Sequence, residues 1–118
     1  MRVLIFGAST NPDRYAYKAL ELLVEKGFEV FLKGNKAGMA LGLTIQVGTN
    51  DFDDIHTVTL YVGPQNQQGL IEDLIKIKPK RIIFNPCTEN PDLYAEIEKL
   101  NIKVEEACTL VLLHTNQF

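Results

Sequence analysis

Ile5-Phe6-Gly7-Ala8-Ser9-Thr10-Asn11-Pro12-Asp13-Arg14-Tyr15 runs from an apolar stretch, through a small polar turn, into a segment with helical spacing. The pattern recurs as Ile83-Phe84-Asn85-Pro86-Cys87-Thr88-Glu89-Asn90-Pro91-Asp92-Leu93-Tyr94, one residue longer in the turn. In both copies Asn-Pro-Asp stands where a helix is expected to open. Asn is a favoured N-cap, Pro is pre-set for the first helical position, and Asp suits the positive end of the helix dipole. A strand feeding a helix through such a turn leaves backbone N–H groups free, and these attract anions. The two copies therefore predict two anion cradles.

Working outward, Val3–Phe6 reads as a strand buried on both faces, ended by Gly7. Pro12–Lys26 reads as a helix with Ala16, Ala19, Leu20 and Leu23 on one face and Gly27 as its stop. Phe28–Leu32 is the second expected strand and Thr57–Val62 the third, with the residues between them read as loop. A helix over Gln67–Lys76, a fourth strand at Arg81–Phe84, a helix over Pro91–Leu100 and a fifth strand at Ile102–Glu105 follow. Leu110–Leu113 is too short to decide between helix and edge strand. Alternating strands and helices predict an α/β fold, a Rossmann-like doubly wound parallel sheet of five strands with helices on both faces. In the order 3-2-1-4-5 the first and fourth strands, which carry the two matching turns, lie side by side at the switch point where such folds bind ligands.

At 118 residues the chain is expected to form one domain over 1–118, and 46% hydrophobic with 23% charged residues is ordinary for a globular protein. A net charge of −3 argues against general nucleic-acid or anionic-membrane binding. The basic run Lys76, Lys78, Lys80 and Arg81 reads as a solvated helix end and loop. No apolar run reaches membrane-spanning length and no signal peptide opens the chain, so a cytoplasmic location is expected. Cys87 and Cys108 form no CxxC pair and His56 and His114 lack paired ligand spacing, so no metal site or disulfide framework is expected.

The first turn has fewer glycines than a Gly-x-Gly-x-x-Gly dinucleotide fingerprint, yet Gly7 allows close backbone approach, and Ser9, Thr10 and Asn11 add hydroxyl and amide groups. Arg14 and Lys18, four apart, share a helix face from which both can close on a phosphate. After the second strand, where NAD-binding folds place an acidic residue, stand Lys33 and Lys36. Lysine there favours a phosphorylated ribose, that of NADP or of the 3′-phospho-ADP of coenzyme A. Glu89 has no neighbouring acid–base partner and reads as a helix N-terminal charge. Cys87 and Cys108 are open to two readings, as thiols activated near helix N-termini or as small packing residues.

Taken in order, these segments resemble the stand-alone CoA-binding domain of the type also found at the N-terminus of the succinyl-CoA synthetase α subunit. The matching pieces are Gly7-Ala8-Ser9, Asn11-Pro12 with Arg14, Tyr17 and Lys18, and Gly34-Asn35-Lys36-Ala37-Gly38 with Leu41-Gly42-Leu43. They continue with Tyr61-Val62-Gly63-Pro64, the turn 85–91, and Ala107-Cys108-Thr109. The resemblance implies a site with Gly7, Ala8, Ser9 and Arg14 at the phosphates, and Lys33, Asn35 and Lys36 around the 3′-phosphoribose and adenine. It further implies Pro64 beside the nucleotide, and Asn85, Pro86 and Cys87 toward the pantetheine end. The chain departs from many stand-alone relatives in having Leu32-Lys33-Gly34-Asn35 for Pro-Val-Asn-Pro, and Asn85-Pro86-Cys87 for a Gln-x-Gly turn. Neither histidine lies in a segment like the phosphohistidine of the related ligase. The implied protein binds CoA or an acyl-CoA without catalytic residues, as a sensor, carrier or regulatory protein. The alternative is a minimal NADP-dependent oxidoreductase or a cysteine-dependent acyl-transfer enzyme.

Overall fold

A computed structural model describes all residues, 1–118. Strands β1 (Arg2–Phe6), β2 (Glu29–Lys33), β3 (Gly38–Ala40), β4 (Leu43–Gln46), β5 (Thr57–Leu60), β6 (Arg81–Phe84) and β7 (Lys103–Glu106) form one sheet in the order β3-β4-β2-β1-β5-β6-β7. All pairings are parallel except β3 with β4. Helices α1 (Tyr15–Glu25) and α4 (Thr109–His114) pack on one face, whose core gathers Val3, Ile5, Leu20, Leu23, Leu32 and Leu113. Helices α2 (Leu70–Ile77) and α3 (Tyr94–Glu98) cover the other, around Leu4, Val58, Leu74, Phe84 and Ile97. Consecutive residues of β1 thus serve opposite cores, as strand alternation requires. Each fully buried leucine or isoleucine contributes about 2 kcal/mol.

The expected α/β class stands, but the strand order needs correction. Residues read as loop form the hairpin β3–β4, and β4 pairs parallel with β2 through Leu32↔Ile45 and Lys33↔Gln46. The outer edge of β2 is therefore taken, and Thr57–Leu60 pairs instead with the free edge of β1, Val3 opposite Thr57 and Phe6 opposite Leu60. Among the parallel strands the third is Leu43–Gln46, and the whole follows the six-strand doubly wound order 3-2-1-4-5-6 with β3 added at the edge. β1 and β6 are not neighbours; β5 lies between them, and the switch point falls between β1 and β5.

The helix openings also differ from expectation. α1 starts at Tyr15, with Arg14 at its N-cap and no side-chain cap. Asn11-Pro12-Asp13 forms a separate turn, in which Asp13 N–H donates to Asn11 Oδ1 (3.0 Å) and Arg14 N–H to the Asn11 carbonyl (3.1 Å). Asn satisfies its own turn here instead of capping the helix, a local competition open to short polar side chains. In the second copy Pro91–Leu93 makes a single 3-10 turn ahead of α3. The helix expected from Gln67 begins at Leu70, after a further 3-10 turn at Pro64–Asn66. The tail resolves as the short helix α4.

Candidate functional site

At the C-terminal ends of the strands an open crevice of about 780 Å³ is lined by the first turn, the start of α1, the loop before β3, the turn after β5 and the turn after β6. Its walls hold Gly7, Ala8, Ser9, Asn11, Arg14, Asn35, Lys36, Pro86 and Cys87, all expected from the sequence. They also hold Thr10, whose hydroxyl the first turn offers, and Tyr15, Ala16, Ala37, Ile45, Tyr61, Gly63, Gln65 and Thr88, to which the sequence assigns no role in the site. Gln65 follows the Tyr61–Pro64 segment, and Thr88 lies within the second copy of the opening pattern, so the signal for both was adjacent.

Gly7 sits where β1 turns upward, at φ +100, and a Cβ there would meet Val62 Cγ2 at 2.9 Å and the Tyr61 carbonyl carbon at 3.0 Å. Only glycine fits this crossing of the β1 and β5 ends. The amides of Gly7 and Ala8 both donate to the Lys33 carbonyl (2.8 and 2.9 Å), so neither is free for an anion. Asn11 N–H is likewise taken, by Ser9 Oγ at 3.0 Å. Along this wall the amides of Ser9 and Thr10 and, in the first turn of α1, of Tyr15 and Ala16 keep no protein acceptor. All four residues line the crevice, and no acidic side chain occupies that first turn. The positive end of α1 therefore faces the crevice uncompensated, with the Arg14 guanidinium beside it.

Four expected site residues stand elsewhere. Lys33 alternates onto the opposite sheet face from Leu32, donates to the Thr49 carbonyl, and holds its Nζ 5.4 Å from the Phe6 ring centroid. Lys18 is exposed one turn further along α1, outside the crevice. Pro64 is exposed and starts the 3-10 turn, while its neighbours Gly63 and Gln65 face the crevice. Asn85 is buried beneath the floor. Its Nδ2 donates to Thr59 Oγ1 (2.8 Å) and the Leu60 carbonyl (2.9 Å), and its Oδ1 accepts from Thr109 N–H (2.8 Å). One side chain thus ties β5, β6 and α4 together.

A second clamp joins two of the walls. Gln67, also buried, donates from Nε2 to the Val62 and Thr88 carbonyls (2.8 Å each) and accepts from Asn90 Nδ2 (3.1 Å). Between the clamped ends, Thr88 N–H donates to the Asn85 carbonyl (3.0 Å), closing a tight turn with Pro86 second and Cys87 third. Cys87 is at φ +75, a conformation that suits glycine. Cys87→Gly is expected to raise the unfolding free energy by about 0.5–1 kcal/mol, and Cys87→Val to lower it by at least as much. Urea titration of both variants checks this; a destabilised glycine variant would refute it.

Tyr61 forms part of the crevice wall and burial pushes its phenol up to about 12, outweighing the Thr59 and Thr109 hydroxyls that favour the phenolate. Tyr94 is also raised to about 12, by desolvation and then by its hydrogen bond to Glu106 Oε2 (2.7 Å). The unfolded chain ionises these phenols near 10, so their contribution is complete below pH 10 and declines as pH rises toward 12. Stability measured across that window is expected to fall, and Tyr61→Phe to flatten the fall. His56 lies at the other end of β5, its basicity lowered by burial and then by Arg81, Lys80 and the N-terminus. No cluster of three or more His, Cys, Asp or Glu side chains is arranged to hold a metal ion, and no helix is long and apolar enough to cross a membrane.

A family profile described as a CoA binding domain matches residues 1–114. A crystallised protein described as uncharacterized superposes with a TM-score of 0.94 at 41% identity, over 99% of this chain and 97% of that one. A hypothetical protein from Pyrococcus horikoshii OT3 is 26% identical, with a TM-score of 0.81 over 98% of this chain and 82% of its own. The dinucleotide-forming acetyl-coenzyme A synthetase 1 of Ca. Korarchaeum cryptofilum, in complex with phosphate and ADP, shares the fold at 18% identity and a TM-score of 0.76, over 90% of this chain and 25% of that one. No curated protein matches. With the profile running through all seven strands and both walls of the crevice, the chain belongs to the CoA binding domain family.

Proposed function

We propose that the protein binds coenzyme A, free or acylated, in this crevice without catalysing a reaction on it, as a cytoplasmic sensor, carrier or regulatory protein. The observation that carries the reading is the set of free amides at Ser9, Thr10, Tyr15 and Ala16 beside Arg14, all on one wall. A diphosphate suits that wall, through the helix dipole and the guanidinium together. Lys36 and Asn35, on the loop before β3, suit the 3′-phosphoribose, with Lys36 supplying the charge that was first shared with Lys33. Pro86, Cys87 and Thr88 carry no cation and suit the uncharged pantetheine arm. The donor set and the volume both fit a ligand of this size and charge pattern.

Titration calorimetry with CoA, dephospho-CoA, NADP and NAD tests the reading. CoA is expected to bind, with dephospho-CoA about tenfold weaker through loss of one charge-assisted contact. Equal affinity for those two would remove the role given to Lys36. Tighter binding of NADP than of CoA would favour the dinucleotide alternative, and binding of none of the four would overturn the reading.

A further inference from the structure

Gln65, Gln67 and Gln68 stand together after β5, and the fold uses their side chains differently. Gln67 donates from Nε2 to the Val62 and Thr88 carbonyls (2.8 Å each), and Gln68 Nε2 donates to the Gln65 carbonyl (2.7 Å). Both amides are spent on holding the turn. The Gln65 amide has no hydrogen-bond partner in the protein, and it folds back over Gly63. A Cβ on residue 63 would lie 2.8 Å from Gln65 Oε1 and 3.0 Å from its Nε2. The backbone does not ask for glycine there, because φ −67 and ψ 159 are open to any residue. What glycine supplies is the space that the Gln65 amide fills. The turn beneath is fixed by the ring of Pro64 and by two hydrogen bonds, Asn66 N–H to the Gly63 carbonyl (2.9 Å) and Gln67 N–H to the Pro64 carbonyl (3.2 Å).

Gly63 and Gln65 both line the crevice. β5 lies between β1 and β6, so this turn stands between the Arg14 wall and the turn that holds Pro86 and Cys87. The proposed CoA reading gives the first of those walls to the diphosphate and the second to the pantetheine arm. The ligand segment that passes Gln65 is then the start of the arm, where a secondary amide offers one N–H and one C=O. An uncharged carboxamide that both donates and accepts suits such a group. We infer that Gln65, positioned by the bare Cα of Gly63, hydrogen-bonds the pantetheine amide nearer the diphosphate and so favours ligands that carry this arm. The inference rests on the CoA reading and gives the site a means of selecting the uncharged half of its ligand.

Calorimetry with CoA and with 3′-phospho-ADP, which keeps the nucleotide and both 5′-phosphates but lacks the arm, tests the inference. Gln65→Ala is expected to weaken CoA by about threefold to tenfold, the worth of one neutral hydrogen bond, and to leave 3′-phospho-ADP unchanged. Gly63→Ala is expected to melt no lower than the wild type, since its backbone accepts alanine, while the added methyl displaces the Gln65 amide. It should therefore show the same loss for CoA alone, and the double variant should bind CoA no more weakly than Gln65→Ala. Equal losses for the two ligands would assign Gln65 to the diphosphate and overturn the inference. So would a change in CoA affinity below about twofold, or a double variant weaker than both singles, which would mean that the methyl meets the ligand directly. The wild type separates the two ideas. CoA bound equally well by wild type and Gln65→Ala removes the role of Gln65 and leaves the CoA reading, whereas absence of CoA binding to the wild type removes the reading itself.

Discussion

Replacing Asn85 with leucine is expected to lower the unfolding free energy by about 3 kcal/mol, the largest single loss of stability outside the apolar core. The side chain is 1% exposed and makes three hydrogen bonds, to a hydroxyl, a carbonyl and an amide. Leucine fills the volume but leaves the Leu60 carbonyl and the Thr109 N–H buried without that partner, and an orphaned buried group costs about 1–3 kcal/mol. The Thr59 hydroxyl keeps its contact with Thr109 Oγ1 (2.8 Å), which limits the loss. In thermal melting the effect is a drop of roughly 10–20 °C for a domain of this size. Asn85→Asp keeps the acceptor for Thr109 N–H but turns a carboxylate toward the Leu60 carbonyl, so it is expected to destabilise as well. A loss below about 1 kcal/mol for the leucine variant would show that water satisfies these groups, and that the strand exits are not held as described.

The second large effect concerns the ligand. Arg14→Ala combined with Lys36→Ala is expected to weaken CoA binding by about 100-fold or more, since each charged hydrogen bond is worth about 1.5–3 kcal/mol. The two singles separate the roles. Arg14→Ala should weaken CoA and dephospho-CoA alike, because both carry the diphosphate. Lys36→Ala should erase the preference for CoA over dephospho-CoA and leave the weaker ligand nearly unaffected. Both residues are exposed, so the melting temperature without ligand should stay close to that of the wild type. A double variant within about threefold of wild-type affinity would exclude the first turn and the hairpin loop as the anionic end of the site.

How far the residues foretold this arrangement depends on what each signal measures. Apolar runs and a glycine stop located β1, β2, β5, β6 and α1 within a few residues, because burial on both faces of a parallel sheet leaves a continuous pattern. The hairpin is not legible in the sequence because Gly38–Ala40 and Leu43–Gln46 are short elements with exposed positions, which look like loop. Without its two strands, the numbering of the later parallel strands shifts by one and the two matching turns fall side by side. Lys33 stands outside the crevice for a related reason. Its type suits a phosphate, but strand alternation turns it to the face opposite Leu32, toward the Thr49 carbonyl and the Phe6 ring. Asn85 was assigned to the ligand when its polar groups are consumed by the fold, a distinction that residue type cannot carry. Arg14, Lys36 and Cys87 line the crevice because each lies on a turn or loop beyond a strand end, where topology alone decides.

The hairpin β3–β4 has a bearing on how such a protein can change its ligand. It joins the sheet through one outer strand, and its far side is unpaired. Its preceding loop nevertheless supplies Asn35, Lys36 and Ala37 to the crevice, while the remaining walls are built on strands embedded in both cores. The end of the site proposed to distinguish one nucleotide from another is thus carried by an outer part of the sheet. Exchange of residues 34–47 for the corresponding hairpin of a relative should transfer nucleotide preference as a unit, with the rest of the scaffold serving as a common chassis.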